Sequence, residues 1–344
     1  MCAPSKSGRH RQTPFACLPL PKIPFTFALF LLLTFSPAAA QDASVLHVPA
    51  DFPTIAAAID AAPIGATIEI ASGEYAESLV ITRALTLRGS GETILRGTAD
   101  TPVISVHNTH AVVIENLTIT GGKYGVSVLR SRRVTIQNNV ITANRLLGVR
   151  VQLASAYILA NTVTYTQPPY GRGIHILNTG AYPESRVIGN TVSFNALAGI
   201  TTNLVGTVYV ADNTVTNNGQ RGIAITEMSR AIVANNHVEN NADTGIYVSD
   251  SSTAILCGNT VIASQFGTWE GSRRYGNGIT IDYGANVELR GNTVTDSANY
   301  GISVLSSSFV TLNANTLEAN SAGTIWVDDT STTVNDATLT EECG

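Results

Sequence analysis

Residues 190–213 read NTVSFNALAGITTNLVGTVYVADN, and residues 213–236 read NTVTNNGQRGIAITEMSRAIVANN. Each stretch begins and ends on asparagine and carries a glycine nine residues in. Around each of these asparagines the residue three before and the residue two after are apolar, as Val210 and Val215 are around Asn213. The same asparagine recurs at 139, 161, 190, 213, 236, 259, 292 and 315, at separations of 22, 29, 23, 23, 23, 33 and 23 residues. A fixed period in this range marks a repeat architecture, in which each unit buries its apolar face only against its neighbours.

The glycines run in step. Gly-apolar-x-apolar or a near variant recurs at Gly125, Gly148, Gly173, Gly222, Gly245, Gly278 and Gly301, with looser versions at Gly199 and Gly323. Alternation of period two means short strands with one side in the core. Each unit therefore holds the Gly strand, a polar turn, a second strand ending at the asparagine and a third short segment. No unit has enough helical pattern for a helix. The predicted fold is all-β, a right-handed parallel β-helix of three short strands per turn, with successive turns at ~4.8 Å. The asparagines are expected at one corner, where they tolerate the left-handed backbone conformation and hydrogen-bond from turn to turn.

Four segments follow. Residues 1–40 have a basic start (Lys6, Arg9, Arg11, Lys22), an apolar run from Ile23 to Phe35 and Ala38-Ala39-Ala40, the layout of a secretory signal peptide. The expectation is export to the periplasm, the cell surface or the medium, with no membrane span after cleavage. Residues 41–101 form an N-terminal cap and first turns. Within them FPTIAAAIDAA (52–62) reads as a short helix with Thr54 as N-cap and Pro63 beyond its end, covering an edge that would otherwise pair with another molecule. Residues 102–328 are the repeats, and residues 329–344 are a C-terminal tail. Export permits a disulfide between Cys257 and Cys343.

Cleavage at residue 40 removes four basic residues and no acidic one, moving the formal charge from −5 to −9. So acidic a chain is not expected to bind nucleic acid, where affinity comes mostly from neutralised phosphates.

The repeats resemble the parallel β-helix repeats of the NosD-like, carbohydrate-binding and sugar-hydrolysis group. The opening VPADFPTIAAAIDAAPIGATIEIASGEYAESLVI (48–81) is similar to the start of pectinesterase-like β-helices. The resemblance implies a pectin-lyase-like solenoid acting on glycans. The NTD, GHG and R-x-K triplets of polygalacturonases, the D-F-I-F-G segment of pectinesterases and the Asp-Pro-His motif of alginate epimerases are all missing from this chain. One mature methionine and scattered histidines give little support to copper.

The two long intervals locate a site, because insertions into a solenoid tend to become binding loops. The first brackets the Gly173 strand; the second, within QFGTWEGSRRYGN (265–277), precedes the Gly278 strand. Both rise beside the same strand column, four turns or ~19 Å apart, and would flank a trough for several sugar rings. Tyr170, Arg172, Trp269, Arg273 and Arg274 are the loop residues suited to stacking on sugars and pairing with carboxylates or sulfates. On the strand face between them, His175 and Tyr247 occupy the outward position two after the glycine. Glu227 and Asp250 follow their glycines by five residues and Asp282 follows Gly278 by four. A stacked carboxylate set of this kind suits acid–base work or Ca²⁺.

The expected function is binding, with cleavage as its enzymatic form, of an extracellular polysaccharide. Glu227, Asp250, Asp282 and His175 are the catalytic candidates; Tyr247, Tyr170, Arg172, Trp269, Arg273 and Arg274 are the binding candidates. The sequence leaves hydrolase and lyase open. A non-catalytic glycan-binding module or a structural surface solenoid stands as the alternative.

Overall fold

The computed structural model describes residues 44–179, 182, 184–267, 275–338 and 343. The chain winds into a right-handed parallel β-helix of about 12 turns with about 23 residues per turn. Its strands form three parallel sheets of 13, 11 and 11 strands. The Gly strands make one sheet, running from Leu79–Ile81 to Gly323–Val327. The strands that end before the asparagines make the 13-stranded sheet, and the Asn-Thr-Val-Thr segments make the third. Inward-facing Val, Ile and Leu side chains stack through the length of the coil as one buried core, as the period-two alternation predicts.

One α-helix, Ile55–Ala61, stands near the N-terminus. The Thr54 hydroxyl accepts from Ala57 N at 3.2 Å, and the Glu77 carboxylate accepts from Ile55 N and Ala56 N at 3.0 and 2.9 Å. These bonds satisfy backbone donors that a helix start leaves open. Ile55, Ala58 and Ile59 are buried against the first strands.

The asparagine ladder is real, but its geometry corrects the expectation. The left-handed residue is the one before each asparagine: Asn138, Ala160, Gly189, Asp212, Asn235, Gly258, Gly291 and Ala314 all have φ between 51° and 66°. That turn throws the asparagine side chain inward. Asn213 Nδ2 donates to Asn236 Oδ1 at 2.9 Å and to Val187 O at 2.9 Å, while Asn213 Oδ1 accepts from Asn190 N at 2.9 Å. A second inward ladder lies five residues on, through Asn144, Thr166, Asn195, Asn218, Asn241, Ser264, Ser297 and Asn320; Asn218 Nδ2 donates to Asn241 Oδ1 at 2.9 Å. The first ladder, and the asparagines of the second, satisfy buried corner amides that the core cannot; the Ser264 and Ser297 hydroxyls make no hydrogen bond among the described residues.

The column glycines answer to close backbone approach. A Cβ on Gly222 would stand 2.6 Å from Gly245 O and 2.7 Å from Val238 Cγ1.

Cys257 and Cys343 form a disulfide with Cα atoms 5.8 Å apart. Ala211, Ala234 and Cys257 are Cα partners on the 13-stranded sheet. Their small side chains leave room for Cys343 to pack on them.

Candidate functional site

Strand register settles which side chains share the outer face of the Gly sheet. Arg150, His175, Thr201, Ala224, Tyr247, Thr280 and Ser303 are Cα partners in succession, as the alternation predicts. Thr201 and Ala224 are small, so the two turns between His175 and Tyr247 open into a notch. This cleft of about 200 Å³ is lined by Arg172, Asn203, Arg221, Thr226, Glu227 and Asp250, with Ala198, Thr201 and Ala224 between them.

Two arginines dominate it. Arg172 and Arg221 each precede a column glycine, and the intervening turn has Ala198 at that position. Their backbones are two strand spacings apart, ~9.6 Å, with only an alanine side chain between. Burial, and then the Arg221 charge, lower the pKa of Arg172. Arg221 is anchored: its Nε lies 3.4 Å from Oδ2 of the buried Asp243, and its guanidinium lies 3.6 Å from the Tyr247 ring centroid. Arg172 has no ion-pair partner among the described residues.

His175 lies half-buried on the strand Arg172–Leu177. Thr226 Oγ1 donates to Thr202 O at 3.0 Å, Asn203 Nδ2 donates to Thr226 Oγ1 at 2.9 Å, and His175 Nε2 lies 2.6 Å from Asn203 Oδ1. An amide oxygen only accepts, so Nε2 carries the proton and Nδ1 keeps the lone pair. Burial first, then the charges of Arg172 and Arg150, outweigh the Asn203 bond and push the imidazole pKa down to about 4. The ring is neutral at ordinary pH.

The carboxylates do not converge as a set of three. Glu227 and Asp250 both line the cleft, on consecutive turns, at left-handed corner positions exposed to solvent. The Asp250 carboxylate accepts from Ser249 Oγ at 2.6 Å. Asp282 falls elsewhere, because Ile281 pairs with Val248 and so aligns Asp282 with Ser249. It is fully buried, accepting from Tyr275 Oη at 2.6 Å, from Tyr247 Oη at 3.4 Å and from Tyr283 N at 2.9 Å. Its carboxylate is thus covered and bonded to two phenols, where the expectation placed it on the open strand face beside Asp250. Burial raises the Tyr247 pKa above its ordinary value against the pull of the Arg221 charge.

Tyr170 is 57% exposed and stands apart from the cleft lining. Trp269, Arg273 and Arg274 lie outside the described residues, so the expected far wall of the trough does too. Among the described residues no group of three or more His, Cys, Asp and Glu side chains is placed to hold a metal ion. Sequence reading overlooked Arg221, Asp243 and Asn203. Arg221 had a signal: it precedes its column glycine as Arg172 does.

Fold and notch together define a solenoid of the parallel β-helix class with a charged cleft on one strand face. The chain matches the family described as right handed beta helix region over residues 102–266, 160–317 and 263–344, and it belongs to that family. Among solved structures it is similar to the A-module of the mannuronan C-5 epimerase AlgE4 of Azotobacter vinelandii, with TM-score 0.61 and 17% identity over 81% of this chain and 94% of that one. It is also similar to an alginate lyase from Paenibacillus sp. (TM-score 0.50, 16% identity, 79% of this chain and 94% of that one). The Dettilon tailspike protein is a third, at TM-score 0.56 and 16% identity over 83% and 68% of the two chains. At these identities the likeness establishes the fold alone. A search of curated proteins finds no match.

Proposed function

We propose that this is an exported protein that binds an acidic polysaccharide across the Gly-strand face and cleaves it by β-elimination. The uronate carboxylate sits between Arg172 and Arg221. One observation carries the reading: a partly buried guanidinium, with no carboxylate partner among the described residues, stands beside a second guanidinium. Adjacent like charges out of water are costly until an anion joins them, and a planar carboxylate suits their forked donors.

His175 supplies the base. Its Nδ1 takes the proton from the carbon next to the bound carboxylate. The electrons of that C–H bond form the new C=C bond as the glycosidic C–O bond breaks, and the leaving oxygen takes up a proton, which Nδ1–H returns. The bound carboxylate also offsets the Arg172 charge, which together with burial and Arg150 holds the imidazole pKa down, bringing it nearer the range where a general base works best. Hydrolysis is less well served, since it needs a carboxyl kept protonated by burial, and Glu227 and Asp250 are exposed. The similar epimerase and lyase carry polyuronate names, which agrees with the substrate class.

Incubation with polyuronates and with neutral glucans, following unsaturated ends and reducing ends together, tests the proposal. Unsaturated product from a polyuronate is expected. Reducing ends without unsaturation would indicate hydrolysis. Binding without any product would leave a glycan-binding module, the second reading. Three strand spacings between His175 and Tyr247, ~14 Å, favour that module, because they keep imidazole and phenol apart.

A further inference from the structure

A second concentration of positive charge lies outside the notch, at the corner that follows the Gly strands. Arg130, Arg132 and Arg133 come directly after the strand Tyr124–Leu129. A parallel bridge sets His110, from the preceding turn, beside Arg132. The Arg132 guanidinium lies 5.3 Å from the ring centroid of Tyr182. These five residues, with Asn108 and Thr109, line a cleft of about 860 Å³. All three arginines are exposed, and none has an ion-pair partner among the described residues. Glu184 lines the adjoining cleft across Tyr182, but Arg186 holds it at 2.9 Å.

In a chain of net charge −5, surface arginines such as Arg88, Arg96 and Arg186 sit on carboxylates. Three neighbouring guanidiniums left without one make an anion site. Arg150 continues the charge toward the notch. It projects from the middle of the strand Leu147–Gln152 with its guanidinium 5.2 Å from the Tyr124 ring centroid, and its charge acts on His175. Two strand spacings and one strand length separate the corner from Arg172, on the order of 20 Å. The cations thus form a diagonal across the sheet.

We infer that the Arg130–Arg132–Arg133 cleft is a second anion subsite. It takes a carboxylate or sulfate group on the same polysaccharide chain whose uronate occupies the Arg172–Arg221 notch. The inference rests on the acidic-glycan reading of that notch. The diagonal then reads a chain long enough to span both sites, and Tyr182, on the cleft lining beside Arg132, supplies an aromatic ring for a sugar.

Calorimetric titration of the full chain and of the R132A/R133A and R172A variants tests this, with far-UV circular dichroism confirming that each is folded. The probes are a uronate dimer, a uronate oligomer longer than the span, a sulfated glucan, a neutral glucan and a DNA duplex. The double variant is expected to bind the long uronate or the sulfated glucan about tenfold or more weakly, with a flatter salt dependence, and the dimer as wild type does. Which long probe suffers identifies the group as carboxylate or sulfate. Unchanged affinity for both long probes, with R172A weakened for the dimer, overturns the second subsite and leaves the notch reading standing. Wild-type dimer binding by R172A overturns the notch reading and with it the shared-chain inference. A duplex bound as tightly as the glycans, and equally sensitive to R132A/R133A, would make the corner a nucleic-acid surface and overturn the inference.

Discussion

The guanidinium of Arg221 lies 3.6 Å from the centroid of the Tyr247 ring, while its Nε lies 3.4 Å from buried Asp243. Ring and carboxylate are contributed by the next turn, so one arginine is held on two sides by groups 22 and 26 residues away in sequence. Arg172 has no such hold among the described residues. The pair therefore divides into a cation fixed on two sides and one without an ion-pair partner among those residues.

That division predicts different losses. Arg172→Ala should weaken polyuronate binding by about 1.5–3 kcal/mol, the usual worth of a charged hydrogen bond, with little change in Tm. Arg221→Lys keeps the charge but loses the planar stack on Tyr247, worth about 2 kcal/mol when desolvated. It should lower both Tm and affinity. Titration beside thermal melts of each variant checks this, and equal behaviour of the two would contradict the asymmetry.

His175 sets an acid limit. Its folded pKa of about 4 lies below the ordinary 6.5, so the folded state resists a proton that the unfolded chain accepts. Stability from this group is full above about pH 6.5 and falls as pH drops toward 4, then levels off. His175→Gln should flatten the Tm-against-pH curve across that window. For the free enzyme, kcat/KM on polyuronate should fall tenfold per unit below about pH 4, where the base is protonated, and the Gln variant should show no elimination.

The Asn213 side chain closes four hydrogen bonds between turns: Oδ1 accepts from Asn190 N and Asn190 Nδ2, and Nδ2 donates to Val187 O and Asn236 Oδ1. Asn213→Ala leaves several of those buried groups unmet, at about 1–3 kcal/mol each. A loss near 3 kcal/mol in urea unfolding is expected. A variant within experimental error of wild type would mean that water replaces the ladder.

The Cys257–Cys343 bond closes a loop with a sequence separation of 86. The chain-entropy account gives such a loop about 4.6 kcal/mol of stabilisation. Reduction, or Cys343→Ser, should lower the unfolding midpoint, with amide exchange rising first in the last turns. Unchanged exchange there would show that the final strands hold without the tail.

Much of the fold was legible because it is periodic. The Gly173, Gly222 and Gly245 strands, the inward Val and Ile residues, and the outward column from Arg150 to Ser303 follow from alternation and a constant repeat. The Thr54 cap followed from ordinary helix-start chemistry. The left-handed residue was misassigned by one position, since asparagine suits both a left-handed corner and an inward amide, and only backbone dihedrals separate the two. The ladder through Asn144 and Asn218 went unread because threonine and serine interrupt it at Thr166, Ser264 and Ser297.

The site divides differently. Sequence by itself determined the turn, the sheet and the outward or inward side of His175, Tyr247, Glu227 and Asp250, because those depend on local strand geometry. Only tertiary structure decided that Arg221 joins Arg172, that Asp243 anchors it, and that Asp282 is buried beneath two phenols. Apart from Tyr275, which lies 7 residues from Asp282, these pairings join residues 22 to 49 apart through turns whose lengths vary, so a one-residue shift in alignment changes the partner. Burial and neighbouring charge, which give each of these groups its chemistry, are set by what the coil stacks against it.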